Sequence, residues 1–323
     1  MRDKILKILR EHQDEYVSGE MICQACGVSR TAVWKHIREL EERGYQIDAV
    51  RNRGYRLLYS PDVVTPEEII LGLKTDVLGR EIVYRDQVAS TNELATELAY
   101  QGASEGTLVV ADQQTGGRGR RGRAWFSPPG KGVWMSLILR PKLSPAYASQ
   151  LTLVAAIALS RAFSSLTGQQ AGIKWPNDIF FGSKKCCGIL TEMHADHDRI
   201  HHIVLGIGIN VNMESSEFPE ELRDIAVSLR IVKGESLVRS KVIQSVLTYL
   251  EPLYQQYVRE GGFSSLREEW KLESITIGRN VRAVTPRGEI EGTAVDIDEA
   301  GALCVMTESG EIVRIHSAEI LFN

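Results

Sequence analysis

The sequence predicts an α+β multidomain chain: an N-terminal winged helix-turn-helix, a central mixed-sheet α/β domain and a C-terminal β-barrel of SH3-like dimensions. Three observations predict it. Residues 1–60 read as three helices and a β-hairpin, residues 64–273 alternate strand and helix patterns, and residues 274–323 are short strands separated by turns. The expected domains are therefore 1–63, 64–273 and 274–323, and a chain of 323 residues is long enough for all three.

In the first segment, Ile5, Ile8 and Leu9 have helical spacing. "SGEMICQACG" is a short helix with Ser18 as cap and Gly27 as stop. "VSRTAVWKHIREL" opens on Ser29 and puts Val33, Ile37 and Leu40 on one face. A short helix, a tight turn and a second helix form the helix-turn-helix pattern. "YQIDAVRNRGYRLL" adds two alternating strands around Asn52, Arg53 and Gly54, a hairpin with a basic tip. This order of elements points to DNA binding, with Arg30, Thr31, Lys35 and Arg38 facing the groove and Arg51 and Arg53 as a phosphate-contacting wing. Charge alone is weak support, since residues 1–60 hold 11 Lys and Arg against 9 Asp and Glu.

"SPDVVTPEEI" is a joint, where Thr65 and Glu68 have capping-box spacing and Pro66 opens a helix. The central segment then runs through "EIVYRDQ", "TNELATELAYQG", "TLVVADQQ", "GVWMSLILR", a helix from Leu151, "GIKWPNDIFF", "CCGILTEM" and "IHHIVLGIGINVN". Beyond Trp270, turns are expected at Pro286-Arg287-Gly288, Asp298–Gly301 and Ser309-Gly310.

Hydrophobic content of 43% and charged content of 25% suit a chain with real cores, and a net charge of −4 argues against wholesale nucleic-acid coating. Five cysteines, two of them adjacent, make a poor disulfide framework and fit a reducing cytoplasm. The charged N-terminus lacks the apolar core of a signal peptide. The most apolar helical stretch, Leu151 to Leu159, falls short of the roughly 20 residues a membrane span needs. Cytoplasmic localisation without a membrane partner is the expectation.

The densest chemical feature is "TGGRGRRGRAWFSPPG", with arginines at 118, 120, 121 and 123. Gly117, Gly119 and Gly122 match G-x-G-x-x-G, but the following Pro128 and Pro129 forbid the helix a dinucleotide turn requires. No P-loop occurs. Cys23 and Cys26 read as small core residues, and "HADHDRIHH" (His194, His197, His201, His202) as a solvated hairpin tip, so no metal site is expected. Glycine lets backbone N–H groups approach an anion, and arginine supplies a permanent planar charge. "STNE" (Ser90 to Glu93) has capping-box spacing, "KWPND" (Lys174 to Asp178) concentrates polar groups at a strand end, and "KKCCGILTE" brings Lys185 beside Gly188. Cations and aromatic walls without a clear nucleophile or base suit phosphoryl or nucleotidyl chemistry.

These motifs, in this order behind a winged helix, resemble the bifunctional biotin–protein ligase and biotin-operon repressor family over essentially the whole chain. The resemblance implies a class II synthetase-like catalytic domain that joins biotin to ATP, with Mg²⁺, forming biotinyl-5′-AMP. The biotinyl group then passes to a lysine of a biotin carboxyl carrier protein. It also implies an operator-binding, ligand-linked homodimer with the adenylate as corepressor. By position, Ser90, Thr91, Asn92 and Gln114 match residues at the biotin head group, and Arg118, Gly119, Arg120 and Trp125 match the loop over biotin and the adenylate. Lys185 matches the lysine at the carboxylate and bridging phosphate, and Lys174, Asn177 and Asp178 match the second signature. Gly188 and Asn210 complete the set, with Asp178 a candidate to orient or deprotonate the acceptor lysine. Gly116 departs from the family's usual alanine but leaves the arginines in place. Rival readings are a lipoate–protein ligase, which the winged helix and the arginine loop disfavour, and a non-catalytic metabolite-sensing repressor.

Overall fold

The computed structural model describes residues 1–12, 14–286 and 288–322, apart from the side chain of Asp3. The turn expected at 286–288 runs through Arg287, outside the described residues. The chain forms two compact units, Met1–Gly72 and Leu73–Asn323.

The first unit contains α1 (Arg2–Glu11), α2 (Gly19–Cys26), α3 (Arg30–Glu42), β1 (Gln46–Val50), β2 (Gly54–Tyr59) and α4 (Pro66–Ile70). Ser18 Oγ accepts from Met21 N and Ser29 Oγ from Ala32 N, so both helices of the motif start on satisfied donors. Gly27 ends α2 in the left-handed region at φ +69°, at little steric cost to glycine. Val33, Ile37 and Leu40 of α3 bury against Ile5, Leu6, Leu9 and Ile22, each contributing roughly 1.5–3 kcal/mol. The capping box expected at Thr65 does not form. Glu68 is instead buried, accepting from Arg10 at 2.7 Å and from the Tyr45 hydroxyl, because two tertiary donors outcompete one local N–H.

The second unit is built on a seven-stranded mixed sheet. In chain order its elements are β3 (Ile82–Val88), α5 (Thr91–Tyr100), β4 (Leu108–Gln114), β5 (Gly132–Leu139), α6 (Leu151–Thr167), β6 (Gly172–Lys174), β7 (Asp178–Phe181), β8 (Lys184–Ala195), β9 (Ile200–Asn210), α7 (Leu229–Lys233), α8 (Arg239–Glu260) and α9 (Arg267–Glu273). The strand order is β3-β4-β5-β9-β8-β7-β6, with β3 parallel to β4 and the remaining pairs antiparallel. The helical stretch from Pro145 to Thr167 spans 23 residues and is apolar and long enough to cross a membrane, contrary to the expectation from Leu151–Leu159. Its most apolar 18-residue window is 72% buried, with α6 packed against α8 and against β6, β7 and β8. Its hydrophobicity is that of a core helix.

The chain ends in an antiparallel five-stranded sheet of β10 (Asn280–Thr285), β11 (Gly288–Ile297), β12 (Leu303–Met306), β13 (Ile312–Ile315) and β14 (Glu319–Phe322). Residues 274–276 stitch it to the edge of the larger sheet. Ile275 N donates to Ile173 O at 2.9 Å, and Trp175 N donates to Thr276 Oγ1 at 2.9 Å. An exposed edge strand is thereby closed.

Candidate active site

The register of the large sheet builds the floor of a cleft. Trp134 on β5 opposes Gly208 on β9, Gly208 opposes Gly188 on β8, Gly188 opposes Asp178 on β7, and Asp178 opposes Lys174 on β6. Directly paired residues share a face, so this row presents two adjacent positions without side chains. The Trp125 indole occupies them. A Cβ on Gly188 would lie 3.1 Å from its ring, and one on Gly208 would collide with its Nε1. The next row pairs Ser136, Gly206 and Leu190, and there the carboxamide of Asn92 fills the space above Gly206.

The arginine segment is a small hairpin. Gly119 N donates to Arg123 O at 2.7 Å and Trp125 N to Gly117 O at 2.8 Å, while Arg121 takes a left-handed φ of +57° at the tip. Arg118 pairs with Glu93. Ser90 is the N-cap of α5 but makes no capping bond, so the capping box expected at Ser90–Glu93 is absent because Arg118 takes the carboxylate. Arg120 donates to Asn177 Oδ1 at 3.1 Å and to Ser317 Oγ at 2.9 Å. Arg121 donates to Val284 O, and Arg123 pairs with Glu319. Four arginines thus tie the hairpin to α5, to the turn before β7 and to the terminal sheet.

All fourteen residues expected at the small-molecule site line one cleft of about 500 Å³, within the range of drug-sized ligand pockets. Their roles separate by bonding. Thr91 N and Oγ1 both donate to Gln114 Oε1, at 2.8 and 3.1 Å, and Gln114 Nε2 donates to Ser127 Oγ. Asn92 donates to Leu190 O and Glu192 Oε2 and accepts from Ser136, so its amide is held by protein partners. Asn210 is buried and donates to Val227 O, which anchors the following loop. Asn177 donates to Ile189 O at 2.9 Å. Lys185 Nζ lies 2.7 Å from Asp178 Oδ1, an ion pair, and 5.2 Å from the Trp125 ring.

Among the described cleft cations, Arg120 and Lys174 combine partial burial with no directly bonded carboxylate, whereas Arg121, on Val284 O, is exposed. Arg120 contacts neutral partners, and Lys174 lies over the rings of Phe180 and Phe322, at 5.1 and 4.8 Å. Burial holds the pKa of each below its ordinary value, with Asp178 acting in the opposite sense. A partly desolvated positive charge without a directly bonded carboxylate is a site waiting for an anion. Lys174→Met is therefore expected to stabilise the fold by about 0.5–2 kcal/mol while weakening pyrophosphate binding at least about tenfold. Thermal unfolding and titration calorimetry on one preparation check both signs.

Several wall residues carry no motif. Phe218, Leu222, Ile225 and Ala226 line the cleft from the loop after β9, where Lys185 N donates to Ile225 O at 2.8 Å. Ala318, Glu319, Ile320 and Leu321 reach it from the terminal sheet. Gly206 and Gly208 had a signal, since alternating glycines in a strand mark close approach on one face. Cys23 is half-buried and Cys26 buried, as small core residues would be. The histidine segment has the expected solvated tip, with one departure at His202. Residues 196–199 are exposed, but His202 is buried, with Tyr100 5.0 Å from both His194 and His202, because the hairpin folds against α5.

Residues 84–210 match the biotin/lipoate A/B protein ligase family, residues 2–56 an HTH domain, and residues 276–322 the biotin protein ligase C-terminal domain. The bifunctional ligase/repressor BirA of Bacillus subtilis is 47% identical over 99% of this chain and 98% of its own length. This chain belongs to the bifunctional biotin ligase/repressor family. Escherichia coli BirA, another bifunctional ligase/repressor, is 31% identical over 94% of each chain. The solved biotin protein ligase from Aquifex aeolicus in complex with biotin and ATP superposes with a TM-score of 0.66 at 34% identity, covering 76% of this chain and 99% of that one. The ligase/repressor architecture accounts for both units, a helix-turn-helix and a ligase fold with its C-terminal sheet.

On the helix-turn-helix, Arg30, Thr31, Lys35 and Arg38 lie on the exposed side of α3, and Arg51 and Arg53 flank Asn52 at the exposed hairpin tip. Arg30 faces Glu20 at 3.9 Å and Arg38 donates to Glu41 at 3.1 Å, both on the surface, where such pairs exchange readily for phosphate.

Proposed function

We propose that the cleft joins biotin to ATP, giving biotinyl-5′-AMP and pyrophosphate, then transfers the biotinyl group to a lysine of a biotin carboxyl carrier protein. The observation carrying this reading is the pair of partly buried cations, Arg120 and Lys174, beside Lys185 and the Trp125 wall. A biotin carboxylate is already anionic, so its attack on the α-phosphorus needs no general base. The obstacle is repulsion between two anions. Lys185, Arg118 and Arg120 neutralise it at the reacting atoms, with Mg²⁺ entering as part of the ATP substrate. Thr91 and Gln114 orient the head group, and Trp125 supplies the apolar wall.

In the second step the acceptor amine attacks the acyl carbon and AMP leaves. That amine must be neutral, against an ordinary lysine pKa of about 10.4. Asp178 is placed to orient it or take its proton once Lys185 has turned to phosphate. Biotin-dependent exchange of labelled pyrophosphate into ATP tests the first step. Exchange that requires biotin supports it, and its absence with a folded protein overturns it.

The first unit binds operator DNA through α3 and the wing, making the chain a biotin-responsive repressor that acts in the cytoplasm. The adenylate acts as corepressor by favouring a homodimer, whose two-fold axis matches a two-fold operator. Equilibrium sedimentation with biotin and ATP should shift monomer to dimer, and an unchanged ratio overturns the dimer.

A further inference from the structure

The wing carries a side-chain cluster around Arg53 whose other members, Tyr16, Asp48 and Arg56, are not among the expected DNA contacts. Tyr16, just before α2, lies under two wing arginines: the guanidinium carbon of Arg53 is 4.5 Å from its ring centroid and that of Arg56 is 4.7 Å. The Tyr16 hydroxyl donates to Asp48 Oδ2 at 2.5 Å, and Arg56 lies 3.6 Å from the same carboxylate oxygen. Val17 N donates to Tyr55 O at 2.8 Å and Tyr55 N to Val17 O at 2.9 Å. The next residue, Ser18, caps α2. One three-residue segment therefore fixes both the wing and the first helix of the helix-turn-helix.

An arginine at a hairpin tip ordinarily samples many rotamers, and ordering a long side chain costs up to about 2 kcal/mol. A cation over an aromatic face at these distances gains about 0.5–1 kcal/mol at an exposed site. Two such contacts on one ring would remove much of the ordering cost before DNA arrives. We infer that Tyr16 is a positioning residue of the wing, holding Arg53 and Arg56 as a pre-aimed pair for adjacent backbone phosphates. Asp48 accepts from the Tyr16 hydroxyl, while the ring face itself holds the guanidinium groups. Asp48 also faces Arg56, so phosphate replaces a partner already present. The inference rests on the DNA-binding reading above and extends the wing contact to Arg56.

Because phosphate contacts are independent of sequence, the test needs no operator. Anisotropy of a fluorescein-labelled mixed-sequence duplex, titrated with full-length protein from about 50 to about 200 mM salt, reads the number of phosphates engaged from the slope of log K against log salt. Tyr16→Leu is expected to reduce that slope by about 1–2 and weaken binding at low salt about tenfold. Tyr16→Phe keeps the ring and is expected to retain the wild-type slope. In a Tyr16→Leu background, Arg53→Gln should cost less than in wild type, a coupling that general loss of stability would not produce. A wild-type slope for Tyr16→Leu, equal losses for Leu and Phe, or additive losses would each overturn the inference while leaving DNA binding intact. If Tyr16→Leu does not fold, the Phe variant and an Arg53/Arg56 cycle decide it: a lowered Phe slope or additive arginine losses reject the pre-aimed pair, and a retained slope with coupled losses supports it. A wild-type chain without salt-dependent affinity removes the DNA-binding reading itself, and this inference with it.

Discussion

Lys185→Gln is expected to lower kcat/KM for biotin-dependent pyrophosphate exchange by about 10²–10³-fold, with a smaller effect on protein stability. The ammonium sits between the Asp178 carboxylate, at 2.7 Å, and the Trp125 ring, at 5.2 Å. It is the cation closest in kind to what the reaction demands, a compact charge able to turn from a protein carboxylate to a substrate one. Glutamine keeps the length and some hydrogen bonding but loses the charge when two anions must meet. Asp178→Asn makes the contrast. It frees Lys185 for substrate, so adenylation should persist while transfer to the carrier lysine slows. Single-turnover transfer from preformed adenylate separates the steps. Exchange by Lys185→Gln within about threefold of wild type would overturn its role, and a wild-type transfer rate for Asp178→Asn would remove Asp178 from the second step.

Gly208→Val should raise KM for biotin by roughly 10- to 100-fold and change kcat less. The added Cβ would enter the space of the Trp125 indole, whose edge already meets Gly188 across the strand pair. Neither strand can retreat, since β8 and β9 are central to the sheet. The indole must therefore lift, taking the hairpin end at Trp125 with it, and loss of an apolar wall worth about 1.5–3 kcal/mol weakens binding by roughly 10- to 100-fold. Overpacking should also cost about 1–3 kcal/mol of stability, so rates belong well below the lowered midpoint. An unchanged KM with altered tryptophan fluorescence would show that the indole moved without forming part of the biotin wall.

Much of this was legible in the chain as a string. Ser18, Ser29 and Gly27 mark helix ends through their own local bonds, and the helical spacing of Val33, Ile37 and Leu40 names a buried face. The arginine hairpin announces itself by composition, and motif order pointed to the cleft residues. Such features depend on groups within a few positions of one another, which is the range over which sequence patterns are informative.

Where a polar group had a choice, the string favoured the local partner and the fold chose the distant one. Glu93 and Glu68 were both spaced to close capping boxes, yet Arg118 and Arg10 took them, because a guanidinium bond is stronger than one more backbone N–H. His202 and the 145–167 helix turned on burial, which no window of sequence reports. Above all, the glycine floor exists only through register: Gly188 and Gly208 lie 20 positions apart and become one surface when β8 pairs with β9. The sequence by itself determined the helix-turn-helix elements and the chemistry available to the cleft. The tertiary structure alone decided which cations stay without a carboxylate and where the tryptophan lies, since both depend on pairings between residues that are distant in the chain.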